Sequence, residues 1–98
     1  MNKLNVLYAR VSSLEQKTDR QRINENEFNL VIEDKCSGAI PFHDRQGGKQ
    51  ILSLIEKGIL KSLSVITIDR LGRNLREILN TIHFFTERQI PIIFLNQN

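Results

Sequence analysis

Short apolar runs alternate with longer stretches of helical periodicity along this chain, and that alternation limits the fold more than any other feature. Residues 4–9, 30–36, 63–68 and 91–95 are rich in leucine, isoleucine and valine and have the length of strands. A helix over 12–26 is predicted after the first run, opening on Ser12 with Glu15 three residues on, the pattern of a capping box. Ile51, Leu52, Ile55 and Ile59 recur at helical spacing and predict a helix over 48–56 with Gly58 at its end. Leu75, Ile78, Leu79, Ile82 and Phe85 mark the clearest amphipathic helix. Segment 37–48, with Pro41, His43, Asp44 and three glycines, reads as a mobile loop.

Strands alternating with helices predict an α/β fold, a parallel sheet of about four strands with flanking helices and right-handed crossovers. Such a sheet wants helices on both faces. Three helices cover one face thinly, so the pattern predicts further chain after Asn98.

Ninety-eight residues allow one small domain, and 40% hydrophobic with 26% charged residues is ordinary for a globular chain. No apolar run approaches the roughly 18 residues of a membrane span, and the start does not read as a secretory signal. The single cysteine, Cys36, excludes an internal disulfide, fits a reducing cytoplasm and reads as a small apolar residue ending a buried strand. The net charge of +3 says little by itself. Placement says more, because Arg70, Arg73 and Arg76 fall within seven residues. Arginine favours bidentate contact with phosphate, where lysine offers a point charge.

Two strand ends carry the chemistry. Ligands of open α/β sheets bind outside the carboxyl ends of the strands. Arg10 and Ser12 stand there after the first run, two apart and so on one face of an extended segment. Ser12 is either a simple helix cap or a hydroxyl nucleophile facing an anion, with Ser13 free to cap in its place. Asp69, Arg70 and Arg73 stand after the third run, around Gly72. Asp69 serves as a helix cap or as a site residue, and two arginines at one strand end make a phosphate clamp. Arg45, in the loop, is a third candidate cation. There is no HExxH, CxxC or phosphate-cradling GxxxxGK motif, and neither His43 nor His83 is placed as a general base. What remains is a serine among arginines, able to stabilise a phosphoryl transition state.

At these residues the chain resembles the catalytic domain of the serine recombinases, the resolvase/invertase family. The matching pieces are Tyr8-Ala9-Arg10-Val11-Ser12-Ser13, Thr18-Asp19-Arg20-Gln21, Asp34-Lys35-Cys36-Ser37-Gly38, Asp44-Arg45 with Gly47-Gly48, and Ile68-Asp69-Arg70-Leu71-Gly72-Arg73-Asn74. They run in order through essentially the whole chain. The resemblance implies a flavodoxin-like sheet and a Ser12 that attacks a DNA phosphodiester, becoming joined to the 5′ phosphate. It implies that Arg10, Arg45, Arg70 and Arg73 grip that phosphate, with Gln21 and Asp69 in support. It further implies double-stranded DNA as partner, no cofactor or metal, no membrane, and a bacterial, nucleoid-associated protein. Family members dimerise through a long helix, form a tetramer in the active synapse, and carry a DNA-binding domain. Neither of those parts falls within residues 1–98, so a catalytic domain cut short, inactive alone in recombination, is expected. Two other readings compete. One is a non-catalytic resolvase-like module for DNA-associated assembly. The other, an unrelated flavodoxin-like binder of small molecules, would need glycines after the first strand, and residues 10–14 have none.

Overall fold

The computed structural model describes residues 2–11 and 25–96. Ser12, Gln21 and the expected helix over 12–26 lie outside them, except for the last residues of that stretch, which belong to a single 3-10 turn at Glu25–Glu27. Four strands, β1 (Leu4–Val11), β2 (Leu30–Lys35), β3 (Leu60–Val65) and β4 (Ile92–Phe94), form one sheet in the order β2-β1-β3-β4. Every pairing is parallel. This is the flavodoxin-like order, in which the sheet is built outward in both directions from between β1 and β3. Helix α1 (Gln46–Glu56) joins β2 to β3, and α2 (Leu75–Glu87) joins β3 to β4.

β1 is paired on both edges, and its run Val6-Leu7-Tyr8-Ala9 is fully buried on both faces, as expected of an apolar central strand in a parallel sheet. Val6 and Tyr8 join Ile32, Leu63 and Val65 in one cluster with Ile51 of α1 and with Ile78 and Phe85 of α2. Phe42 enters the same cluster from the connection before α1. Its ring lies 5.2 Å from Tyr8 and 6.3 Å from Phe85, edge to face in both cases.

Four expectations are corrected. The third strand starts and ends three residues earlier than its β-branched run suggests. Gly58, at φ 72°, ends α1, and the backbone N–H of Leu4 already reaches Ile59 across the gap, so pairing begins at once. At the far end, Ile68–Leu71 is wound into a 3-10 turn with Ile68 exposed, which removes it from the sheet. Segment 37–48 is anchored: it holds a 3-10 turn, Phe42–Asp44, and is pinned by the buried side chains of Phe42 and Arg45. α1 begins at Gln46, before the expected start at 48, for a reason that lies in the strand-end cluster described below. On α2, Leu75 and Leu79 are exposed, and the packed stripe is Ile78, Thr81 and Phe85. Among the described residues no helix is long and apolar enough to cross a membrane.

Close packing between the 3-10 turn and α1 depends on Gly48, where a Cβ would lie 1.9 Å from the carbonyl oxygen of Phe42. Alanine within a helix is normally worth about 1 kcal/mol over glycine. Here the clash reverses that sign. Gly48→Ala is expected to cost about 1–3 kcal/mol, the range for overpacked interiors. Urea denaturation of the two proteins measures it, and an unchanged or raised midpoint contradicts the packing described.

Candidate active site

The crevice of a flavodoxin-like sheet opens where β1 and β3 diverge, beyond their carboxyl ends. Three segments of this chain meet there: the end of β1, the connection after β2, and the turn after β3. The central strand delivers Arg10, which is only 9% exposed. Its Nη1 donates to the carbonyl of Cys36 at 2.8 Å, while its Nε is buried with no partner among the described residues. Gly38 lies against that guanidinium; a Cβ there would sit 3.4 Å from the guanidinium carbon. A buried, unsatisfied N–H costs about 1–3 kcal/mol, which an incoming acceptor recovers.

Arg45 is 2% exposed and sits deeper still. Its Nε donates to the carbonyl of Ile40 at 2.9 Å, and Nη2 reaches that of Gly38 at 3.4 Å. Nη1 donates both to the carbonyl of Arg70 at 2.6 Å and to the Tyr8 hydroxyl at 3.2 Å. The Tyr8 hydroxyl in turn donates to Asp34 Oδ2 at 2.7 Å, and Asp34 Oδ1 accepts from the Gly47 backbone N–H at 2.7 Å. One cation and one carboxylate therefore fasten β1, β2, the connection to α1 and the turn after β3 to each other. Asp34 also explains where α1 begins. The residue before the helix, Arg45, makes no side-chain cap, and a carboxylate from a neighbouring strand caps the first turn in its place.

After β3 the chain makes its 3-10 turn, with Thr67 Oγ1 donating to the carboxylate of Asp69. The Asp69 side chain is 66% exposed and lies 4.0 Å from Arg70 Nη1. It does not cap α2; Asn74 does, its Oδ1 accepting from the Glu77 N–H at 2.9 Å. Arg73, 58% exposed, leans on α2 with its Nε 3.4 Å from Glu77 Oε2.

The Resolvase, N terminal domain family model matches residues 5–98. The chain belongs to this family, the N-terminal domain of the serine recombinases. It is 35% identical over 91 residues to the transposon Tn2501 resolvase of Escherichia coli, covering 87% of this chain and 46% of that protein. It is 35% identical over 85 residues to the DNA-invertase of Escherichia phage P1, covering 85% and 44%. The chain thus spans about half the length of the curated relatives it matches. Among solved structures, the C-terminal catalytic domain of ISC1926 TnpA, an IS607-like serine recombinase, superposes with TM-score 0.76 at 25% identity over 96% of this chain and 68% of that one. A serine recombinase from Sulfolobus solfataricus gives TM-score 0.72 at 29% identity over 99% and 71%.

Of the residues singled out from the sequence, Arg45 is bonded to the backbone carbonyl of Arg70, and Arg10 stands at the end of β1 bonded to the carbonyl of Cys36, all at the switch point of this recombinase domain. Asp69 and Arg73 follow on the exposed side of the same turn, and Ser12 and Gln21 lie outside the described residues. Two participants were not anticipated: Tyr8 and Asp34. Asp34 shares the inward face of β2 with Ile32, since residues two apart on a strand point the same way. A carboxylate in an inward position needs a partner, and that signal was available. Cys36 lies just past β2, and burial pushes its thiol above the usual range, which disfavours the reactive thiolate.

Burial also pushes the Tyr8 phenol well above its ordinary value, outweighing the opposing pull of Arg45. The folded protein therefore keeps this proton at alkaline pH while the unfolded chain loses it. Stability from this group is full below about pH 10 and declines as pH rises beyond that value. Tyr8 is the single tyrosine of a chain without tryptophan, so tyrosinate absorbance follows it alone. The absorbance should stay flat past the normal phenol range until the protein unfolds. Tyr8→Phe, which strips a partner from both Asp34 and Arg45, should cost about 1–3 kcal/mol; a variant as stable as the parent would contradict the bonding described.

Proposed function

We propose that this domain performs site-specific DNA strand cleavage and rejoining through a 5′-phosphoserine at Ser12. The observation that carries the proposal is Arg10, buried at the mouth of the crevice with its Nε unpartnered among the described residues, and two residues ahead of Ser12 in the chain. A buried cation with spare donor capacity is suited to an anion, and double-stranded DNA offers a phosphodiester. In the reaction, Ser12 Oγ bonds to phosphorus and the bond to the 3′ oxygen breaks. The serine proton is passed on and the leaving oxygen ends as a 3′ hydroxyl. One phosphoester replaces another, so attack by a 3′ hydroxyl on the phosphoserine reseals the strand without ATP.

The cations divide the labour. Arg10, Arg70 and Arg73 supply donors to the charge that builds on the phosphoryl oxygens, as preorganised donors do in other transfer enzymes. Arg45 is committed to four acceptors of the protein itself. Its role in this reading is to set where Arg70 stands relative to Arg10. Asp69 and Gln21 support the transfer. No metal or cofactor takes part, and the working protein is a cytoplasmic homo-oligomer, dimeric before synapsis and tetrameric in it. That reading agrees with membership in the resolvase domain family and with the names of transposon resolvases and phage invertases among the relatives.

Supercoiled DNA carrying the crossover site, quenched with detergent, tests this. Intact parent protein, in which this domain is joined to its dimer helix and DNA-binding domain, should trap as an adduct on the 5′ end, with a free 3′ hydroxyl opposite. Ser12→Ala should abolish the adduct while site binding persists, because binding rests on other phosphate and base contacts. Arg10→Lys keeps the charge but loses the fork, and cleavage should fall on the order of 10²–10³-fold. EDTA should change nothing. A 5′ adduct formed by Ser12→Ala, or magnesium-reversible inhibition by EDTA, would defeat the mechanism.

A further inference from the structure

Arg73 is held by one acidic residue at both its backbone and its side chain. Both carboxylate oxygens of Glu77 are turned on it: Oε1 accepts from the Arg73 backbone N–H at 3.2 Å, and Oε2 lies 3.4 Å from the guanidinium Nε. Glu77 is itself fixed in place. Its backbone N–H is taken by Asn74 Oδ1 at 2.9 Å, and its carbonyl accepts from Thr81 Oγ1 at 3.0 Å. Its Cβ packs so closely on Gly72 that a side chain there would approach within 2.8 Å. A partly exposed ion pair at a helix start adds little to stability, so its main effect is geometric. A guanidinium offers five N–H donors in a rigid fork. Engaging Nε fixes the plane of the group and leaves the edge formed by the two terminal nitrogens for a second, bidentate partner.

We propose that Glu77 is a positioning residue that orients the Arg73 guanidinium so that its terminal nitrogens meet a phosphate of the DNA. This rests on the reading of the crevice as a phosphodiester site. Displacing a reactive group by about an ångström can cost on the order of 10²-fold in rate, and a freely rotating Arg73 is displaced by at least that much.

Two readouts decide it, each on wild type, Glu77→Ala, Glu77→Gln and Glu87→Ala. The first is the Arg73 Nε–H resonance in nitrogen-15 labelled protein, which needs no activity. It should be slow to exchange in wild type and Glu77→Gln, and lost to fast exchange in Glu77→Ala. The second is single-turnover cleavage set against DNA affinity. Glu77→Ala should lose about 10- to 100-fold in cleavage rate at unchanged affinity, and Glu77→Gln, which keeps acceptor oxygen in reach, should restore most of it. Glu87→Ala removes an acid from the far end of the same helix, where it pairs with His83 at 3.5 Å and touches neither Glu77 nor Arg73. It should leave the cleavage rate near that of wild type. Cleavage by Glu77→Ala at the wild-type rate, a Glu87→Ala defect of equal size, or an Nε–H indifferent to Glu77 would each overturn the role. An intact parent protein with no Ser12-dependent adduct overturns the phosphodiester reading, and this role falls with it. The Nε–H signal tells that outcome apart from a missing contact with Glu77.

Discussion

A guanidinium with almost no access to water is the constraint on which the strand ends of this domain depend. Moving such a cation out of water costs several kcal/mol unless its donors are met. Arg45 meets that demand with the carbonyls of Gly38, Ile40 and Arg70 and the Tyr8 hydroxyl. Those acceptors come from different parts of the chain, so the requirement to satisfy one side chain fixes the mutual placement of β1, the segment after β2 and the turn after β3. Removing one member of such a set leaves charge or dipole stranded in the interior, which is why breaking a buried pair is far costlier than its net strength suggests.

The same arithmetic separates the arginines by what they can do. A fully engaged, buried cation acts through what it holds, whereas one with an idle donor at the mouth of a crevice can exchange solvent or nothing for a ligand. Arg10 is of the second kind and Arg45 of the first, although both sit in motifs that read alike as strings of letters. Arg73, largely exposed, is a third kind, with its orientation set by an acid one helical turn away.

Much of the fold was legible because hydrophobic periodicity reports burial directly. The four runs became four strands, and the spacing of Ile78, Ile82 and Phe85 became α2. Errors arose where local preference and tertiary contact disagree. Ile66-Thr67-Ile68 has strong strand propensity, yet the Arg45 bond to the Arg70 carbonyl and the Thr67–Asp69 contact belong to a chain that turns away at that point. Segment 37–48 has a loop composition, but Phe42 reaches the core, and single-sequence reasoning cannot assign one aromatic to a core built from other elements. Arg10 and Arg70 were recoverable as crevice residues because strand ends are where α/β sheets bind ligands. Tyr8 was not, since an aromatic in an apolar strand is ordinarily packing, and only the partner across the sheet reveals the hydroxyl's task.

The first turn of α1 is closed by a residue of β2. An ordinary helix cap lies next to its helix in sequence and can form as soon as the helix does. Here the Gly47 N–H waits for Asp34, 13 positions earlier and on a different element. The start of α1 is therefore a product of docking, with no autonomous local nucleus to begin it. It follows that the N-terminal turn of α1, the end of β2 and the hydroxyl of β1 open and close together. The Gly47 amide should be protected from exchange to the depth of the sheet rather than to the shallower level of a helix end. In the vocabulary of folding, the wall of the crevice and the middle of the sheet form one cooperative unit, so the crevice cannot loosen by fraying alone.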